Sequence, residues 1–386
     1  MPPQADAIVA GHLCLDIIPD IAHVSGEPAA LWRPGSLHQI GPAVLATGGA
    51  VSNTGISLHR LGLRTRLLGR VGDDPMGAIV RDLLRQVDPA LGNSIIISKG
   101  ESTSYSLVLS PGKNDRLFLH HSGANDTYTA DDVPADSLVG ARLFHFGYPP
   151  NMRRFYSDGG AELESLFAKA KGHGLTTSLD MVQPDRRGDA GRVDWRALLR
   201  RVLPLVDLFM PSLDEICFML GHNVEQPSAI TLEKVATELL NMGCPMVGLK
   251  LGDQGLFLRT TTDRARLAAA GRAAPGADWA GRSLLAPCFE VNVAGTTGSG
   301  DSTIAGFLAA MLNGLSLDQS LTVAVAVGAC CVERPDATSG VPTWGKLQHR
   351  LDQPWRRKPI GFPMPGWNRS KQRLLWIGPD DSKARE

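Results

Sequence analysis

Net charge is the first thing missing. In 386 residues, 39 Lys and Arg balance 39 Asp and Glu, so the chain as a whole offers no long-range field to nucleic acid or to an anionic membrane. There is no C-x-x-C pair and no His at metal-ligand spacing, and the cysteines at 14, 217, 244, 288, 330 and 331 read as reduced, mostly core residues. No apolar run approaches the ~20 residues that a membrane span requires. The apolar stretch from Ala7 to Leu15 is short, follows Asp6 rather than basic residues and contains His12, so it fails as a signal peptide. The expected location is therefore cytoplasmic, with no nucleic-acid and no membrane partner. A G-x-x-x-x-G-K-[ST] P-loop is absent, and Thr303 stands where a G-x-G-x-x-G beginning at Gly298 needs glycine, which counts against a nicotinamide dehydrogenase.

What is present is the composition of an ordinary globular protein, 43% hydrophobic and 20% charged. A chain this long buries roughly three quarters of its unfolded surface without disulfide or metal staples. Ile8 to Ala10 reads as a buried strand that ends at Gly11 and delivers Asp16 a few residues later. A helix is expected around Asn53 to Leu61, stopped by Gly62. Ile95 to Ile97, Thr103 to Leu109 and Leu117 to His121, separated by turn residues, suggest a small antiparallel sheet. From about residue 141, short apolar strands alternate with helices, the pattern of βαβ units and a mostly parallel sheet. The expected strands are Arg142 to Phe146, Thr176 to Leu179, Val206 to Met210, Met246 to Leu249 and Gly255 to Leu258, and residues 260–288 read as a long loop or hairpin. Asp301 to Leu312 carries apolar residues at helical spacing. Ser316 and Gln319 suit a capping box for a second, deeply buried helix from Leu321 to Val332.

The sharpest motif is GTTGSGD at 295–301, set directly before that first helix. Its glycines let consecutive N–H groups converge, and the helix adds the positive end of its dipole, which suits an anion hole. A carboxylate at the rim, Asp301, would repel a bound phosphate unless it serves as a general base for an attacking hydroxyl. The plainer reading is a turn with Asp301 as helix N-cap. The second motif, GGAVSNTGISLHRLG at 48–62, pairs Gly48 and Gly49 with Asn53, whose amide suits neighbouring hydroxyls. Its plainer reading is a glycine hinge with Asn53 as N-cap.

Together these residues resemble the ribokinase-like, or PfkB-type, carbohydrate and nucleoside kinases. Gly48, Gly49, Asn53, Leu61 and Gly62 match the family's first signature, and Thr296, Gly298, Gly300 and Asp301 its second, with Ser299 in place of Ala. The resemblance runs from about 6 to 343 and includes RVGDDPMG at 70–77, GAND at 123–126 and LKLGDQG at 249–255. It implies an α/β fold: a Rossmann-like three-layer sandwich with a central, mostly parallel sheet flanked by helices, plus a small β-sheet lid from roughly 18–47 and 93–125. It also implies transfer of the ATP γ-phosphate to a sugar hydroxyl, with Asp301 as base and Gly298, Ser299 and Gly300 as the anion hole. Asp16, Gly48, Gly49 and Asn53 would hold substrate, and Lys250 and Gly252 would lie near the nucleotide. An Asn-x-x-Glu element linked to Mg2+ through water falls on Ser212 and Glu215. A nucleoside kinase and a non-catalytic sugar-binding or interaction protein on the same fold are the alternatives, with Trp32 as the aromatic candidate for a nucleoside.

Departures from the family pattern carry their own expectations. Gly295 replaces the acidic residue that helps form a monovalent-cation site, which counts against potassium activation, and Ala50 stands where ribokinases carry Lys, which counts against ribose. Ser212 replaces Asn and weakens the magnesium-linked element. Asp180 ends an expected strand and suits either the site or a turn. His120, His121 and His145 read as hydrogen-bonded structural residues or as lid contacts. Residues 1–343 form the expected kinase domain, leaving 344–386 as an extension with ten Lys and Arg, four Asp and Glu, and four of the seven Trp. Its aromatic anchors suit packing on the domain or on a second subunit, so a homodimer stays open.

Overall fold

The computed structural model describes residues 5–21, 34–110, 117–223, 226–370 and 374–383. Its centre is a 10-stranded sheet ordered Asn368–Arg369, Trp376–Ile377, Ser283–Ala286, Leu256–Thr260, Met246–Lys250, Leu208–Phe209, Thr176–Asp180, Leu143–Gly147, Ala7–Gly11 and Thr65–Leu68. From Thr65–Leu68 across to Met246–Lys250 every pairing is parallel, and beyond that the pairings are antiparallel. The central strands Ala7–Gly11, Leu143–Gly147 and Thr176–Asp180 are buried along their whole length because helices cover both faces. In Ala7–Gly11, Ala7 and Val9 face one core, and Ile8 and Ala10 the other. Helices Ala50–Arg60, Ser299–Leu312 and Leu317–Cys331 fill the first layer, while Ala161–Gly172, Trp195–Val202, Leu213–Met219 and Ala229–Asn241 fill the second. Ser316 and Gln319 form the expected capping box, although the helix they open begins four residues before Leu321. No described helix is long and apolar enough to cross a membrane.

A four-stranded sheet stands off one end of the body, ordered Ala43–Gly48, Cys14–Pro19, Tyr105–Leu109 and Leu117–His121. It differs from the expected antiparallel sheet in two ways. Cys14–Pro19 pairs parallel with Tyr105–Leu109, and the strand at Ile96–Ser98 pairs instead with Arg70–Gly72 in a separate two-stranded sheet. The Gly69 carbonyl accepts from the Ile96 amide at 2.9 Å, a partner no local pattern could reveal. Of the two readings of residues 260–288, the structure has the hairpin: Ser283–Ala286 returns antiparallel to Leu256–Thr260, with the helix Arg264–Ala268 in the connection. Trp32 lies outside the described residues.

Part of the C-terminal segment is built into the body. Trp376–Ile377 extends the main sheet beside Ser283–Ala286, Trp367 is buried against Phe257 with ring centroids 5.9 Å apart, and Trp355 stacks on Phe289 at 4.0 Å and 20°. The strongest tie is electrostatic. Arg282, fully buried, donates from Nε to Asp381 Oδ1 and Oδ2 at 3.0 and 2.9 Å and from Nη2 to Asp318 Oδ1 at 3.3 Å. Breaking a buried ion pair from one side strands the other charge. Asp381→Ala is therefore expected to lower unfolding free energy by about 3 kcal/mol, read from urea denaturation, and an unchanged midpoint would remove this pair as the anchor.

Candidate active site

Parallel strands deliver their carboxyl ends to a single edge, where α/β sheets bind ligands. His12 follows Ala7–Gly11, Tyr148 follows Leu143–Gly147, Asp180 ends Thr176–Asp180, and Lys250 ends Met246–Lys250, bridged to Ser212. Opposite them is the start of helix Ser299–Leu312, whose N-cap is Gly298 at φ 71, a left-handed conformation that a side chain resists. A Cβ there would also run into Ala337. Asp301 is thus in the first helical turn and is not the N-cap. Asn53 likewise lies inside Ala50–Arg60, which Gly49 caps. Ser299 donates its amide to the Thr296 carbonyl at 3.3 Å, while first-turn N–H groups by helix geometry lack intrahelical partners and point out of the helix end.

Asp301 is 2% exposed and held from three sides. Asn53 Nδ2 donates to Oδ2 at 3.0 Å, Tyr148 Oη to Oδ2 at 2.8 Å, and Thr54 Oγ1 to Oδ1 at 3.3 Å. Burial raises its pKa above the ordinary carboxylate value, with the Lys250 charge and the three hydrogen bonds opposing. Lys250 Nζ donates to the buried Asp180 Oδ1 at 2.7 Å. Burial works against the Lys250 charge, but Asp180, Glu215 and Asp301 outweigh it and raise its pKa. Asp180 is itself raised, by burial first and then by the neighbouring carboxylates. Three carboxylates therefore surround one ammonium, a local surplus of negative charge. Glu215 closes a capping box on Ser212, accepting from the Ser212 amide at 2.7 Å, while its charge still reaches Lys250 and Asp180. Among the described residues, no group of three or more His, Cys, Asp or Glu side chains is arranged to hold a metal by itself.

On the lid side, a Cβ on Gly48 would run into the Asp16 carboxylate, so glycine is what allows that close approach. His12 Nε2 lies 3.2 Å from His120 Nε2, and His120 Nδ1 lies 3.0 Å from Ser106 Oγ. Burial lowers the His120 pKa to about 4 and His12 well below its usual value, so both rings are neutral at neutral pH. His145 is a buried sheet residue, its Nδ1 3.0 Å from Ser178 Oγ. On the far side of Gly300 a cavity of about 190 Å³ opens, lined by Lys250, Gly252, Thr303 and Val325 among others.

Tyr148, Thr54 and His12 join the site without having been singled out as site residues, and so does Asp180, which suited either the site or a turn. Thr54 adjoins Asn53 in a recognised motif, and Asp180 ends an expected strand, so those two had a signal. Tyr148 had only its place after a strand and before Pro149-Pro150. Its backbone is left-handed at φ 68, ψ 46, rare for a bulky residue. That conformation brings its hydroxyl to Asp301.

The family model described as pfkB family carbohydrate kinase matches residues 9–344. A 2-dehydro-3-deoxygluconokinase of Bacillus subtilis (strain 168) is 26% identical over 330 residues, spanning 83% of this chain and 92% of that protein. A nucleoside kinase of Methanothermobacter thermautotrophicus is 24% identical over 368 residues, spanning 93% and 99%. The solved structure of Arabidopsis thaliana ribokinase complexed with ribose and ATP superposes with a TM-score of 0.70 at 19% identity, over 91% of this chain and 100% of that one, a likeness of fold.

Tyr148→Phe removes one hydrogen bond to the ionised form of Asp301, so the carboxyl pKa should rise further. The acid limb of a pH–rate profile is then expected to move to higher pH, with turnover reduced about three- to thirtyfold. An acid limb that stays in place would show that the phenol does not hold this carboxylate.

Proposed function

The chain belongs to the pfkB family of carbohydrate kinases, and from that premise we propose that it transfers the γ-phosphoryl group of ATP to a hydroxyl of a sugar or sugar derivative, with Asp301 as general base. The observation that carries this reading is a desolvated carboxylate, held by Asn53, Thr54 and Tyr148, at the N-terminal end of a buried helix. A non-catalytic sugar binder has no use for such a group. The acceptor hydroxyl gives its proton to Asp301 as its oxygen bonds to the γ-phosphorus, and the bond to the β-phosphate oxygen breaks to release ADP. Gly298, Ser299 and Gly300, with the first-turn amides of the helix, would stabilise the charge on the transferring group. Asp16, Gly48 and Gly49 would line the acceptor side, and Lys250 and Gly252 the nucleotide side. Asn53 gives one of its two amide N–H groups to Asp301, which orients the base, and the other would remain for the acceptor hydroxyl.

The negative surplus around Lys250 suits a hard cation held mainly by phosphate oxygens and water. Mg2+ would be held through water by Glu215 and would supply neutralisation of the phosphate charge. Potassium fits poorly: a Cβ on Gly295 would lie 2.8 Å from the Pro335 carbonyl oxygen, so the space for a side chain there is filled as well as the carboxylate lost. The second reading, a nucleoside kinase, draws on the Methanothermobacter relative. The same site chemistry would serve it, since only the molecule presenting the hydroxyl changes.

Asp301→Asn is expected to lower turnover ~10² to 10⁴-fold in an ADP-release screen over ketoses, aldoses, sugar acids, sugar phosphates and nucleosides, while substrate and nucleotide still bind. Near-wild-type turnover would sink the base assignment. The raised pKa means that ionised Asp301 costs stability at every pH above its folded value and nothing below its unfolded value, so the same variant should melt higher at neutral pH. Exchanging potassium for an organic cation at fixed ionic strength is expected to leave the rate unchanged, and specific potassium activation would overturn the reading of Gly295.

A further inference from the structure

The cavity beyond Gly300 has a wall from outside the family-matched region, which ends at residue 344. Residues 355–358 run antiparallel to 287–290. The Glu290 amide donates to the Arg356 carbonyl at 2.9 Å, the Lys358 amide to the Cys288 carbonyl at 2.8 Å, and Phe289 bridges to Arg357. Side chains lock this wall. Phe289 lies between the Trp355 ring at 4.0 Å and the Arg357 guanidinium at 3.7 Å, and Arg350 covers the outer face of Trp355 at 3.8 Å. Phe289, Cys288 and Lys358 all line the cavity, facing Gly252 and Asp253.

Two cations line this cavity, Lys250 and Lys358. The first is committed to Asp180 in a short buried pair. The second pairs with Asp253 at 3.8 Å, with 32% and 68% of the two side chains exposed, a contact worth little in water. We propose that Lys358, set in place by the pairing of residues 355–358 with 287–290, is part of the wall of the nucleotide site and is the cation that draws in the polyphosphate of a nucleoside di- or triphosphate. The proposal rests on the ATP reading above. It gives the C-terminal segment a binding role in addition to its part in the sheet.

Calorimetry with ADP and with adenosine tests it on the full chain. Lys358→Gln should weaken ADP binding roughly three- to thirtyfold, flatten its salt dependence and leave adenosine binding and the melting temperature unchanged. Asp253→Asn, which frees Lys358 and removes a repelling carboxylate, should tighten ADP. Cys288 supplies a second readout, because the other described cysteines are buried: ADP should slow its alkylation by a maleimide. Unchanged ADP affinity in Lys358→Gln overturns the role of that residue. ADP binding without protection of Cys288 overturns the placement of the wall. If the wild-type chain binds no ADP, the ATP reading fails and the proposal falls with it.

Discussion

Three carboxylates around one ammonium, at the carboxyl edge of a parallel sheet, are the constraint on which this structure turns. Asp180, Glu215 and Asp301 arrive from a strand end, a capping box and a first helical turn. Lys250 balances one of them by direct contact. Left alone, such a cluster costs desolvation energy that the rest of the fold must offset. The large two-sided core and the donors on Asp301 supply that support. In the proposed role of Asp301 as base, burial would keep its pKa raised and exclude water from the phosphoryl group, while the fixed set of donors would keep it aimed.

Charge is arranged to match. The segment from 344 onward carries ten Lys and Arg against four Asp and Glu, which leaves 29 against 35 in residues 1–343. Overall neutrality thus joins an acidic body to a basic segment folded onto it. Several of the segment's cations are spent on structure: Arg350 on Glu333 and Trp355, and Arg357 on Phe289, Pro287 and Thr322. An acidic body can still handle an anion, because backbone amides and a helix terminus act over a few ångströms where net charge is irrelevant.

Legibility followed the range of the signals. The Ser316–Gln319 capping box, the strand around Thr176 and the helix opening at GTTGSGD were readable because each is set by neighbours three or four residues apart. The strand at Ile96–Ser98 was seen but given the wrong partner, since pairing depends on where Gly69 lies in space. Residues 260–288 read as a long loop or hairpin, and their strand does pair antiparallel with Leu256–Thr260, but its second partner, Trp376–Ile377, lies too far along the chain for any local pattern to show. In the site, Asp301 and Asn53 were singled out by motif, but that one donates to the other was not. Tyr148 carried almost no signal, because a tyrosine in a left-handed conformation contradicts its local preference and is sustained by tertiary contacts alone.

Sequence alone established the fold class, through the alternation of strands and helices, and singled out the glycine loop at 295–301 and Asp301 through their spacing before a helix. Tertiary structure decided the rest: which side chains meet Asp301, that Lys250 is committed to Asp180, that Pro335 fills the space at Gly295, and that Lys358 lines the cavity. Those facts depend on contacts between positions a hundred or more residues apart in several cases. Such contacts are selected by packing and desolvation in the whole fold, and no local pattern reports them.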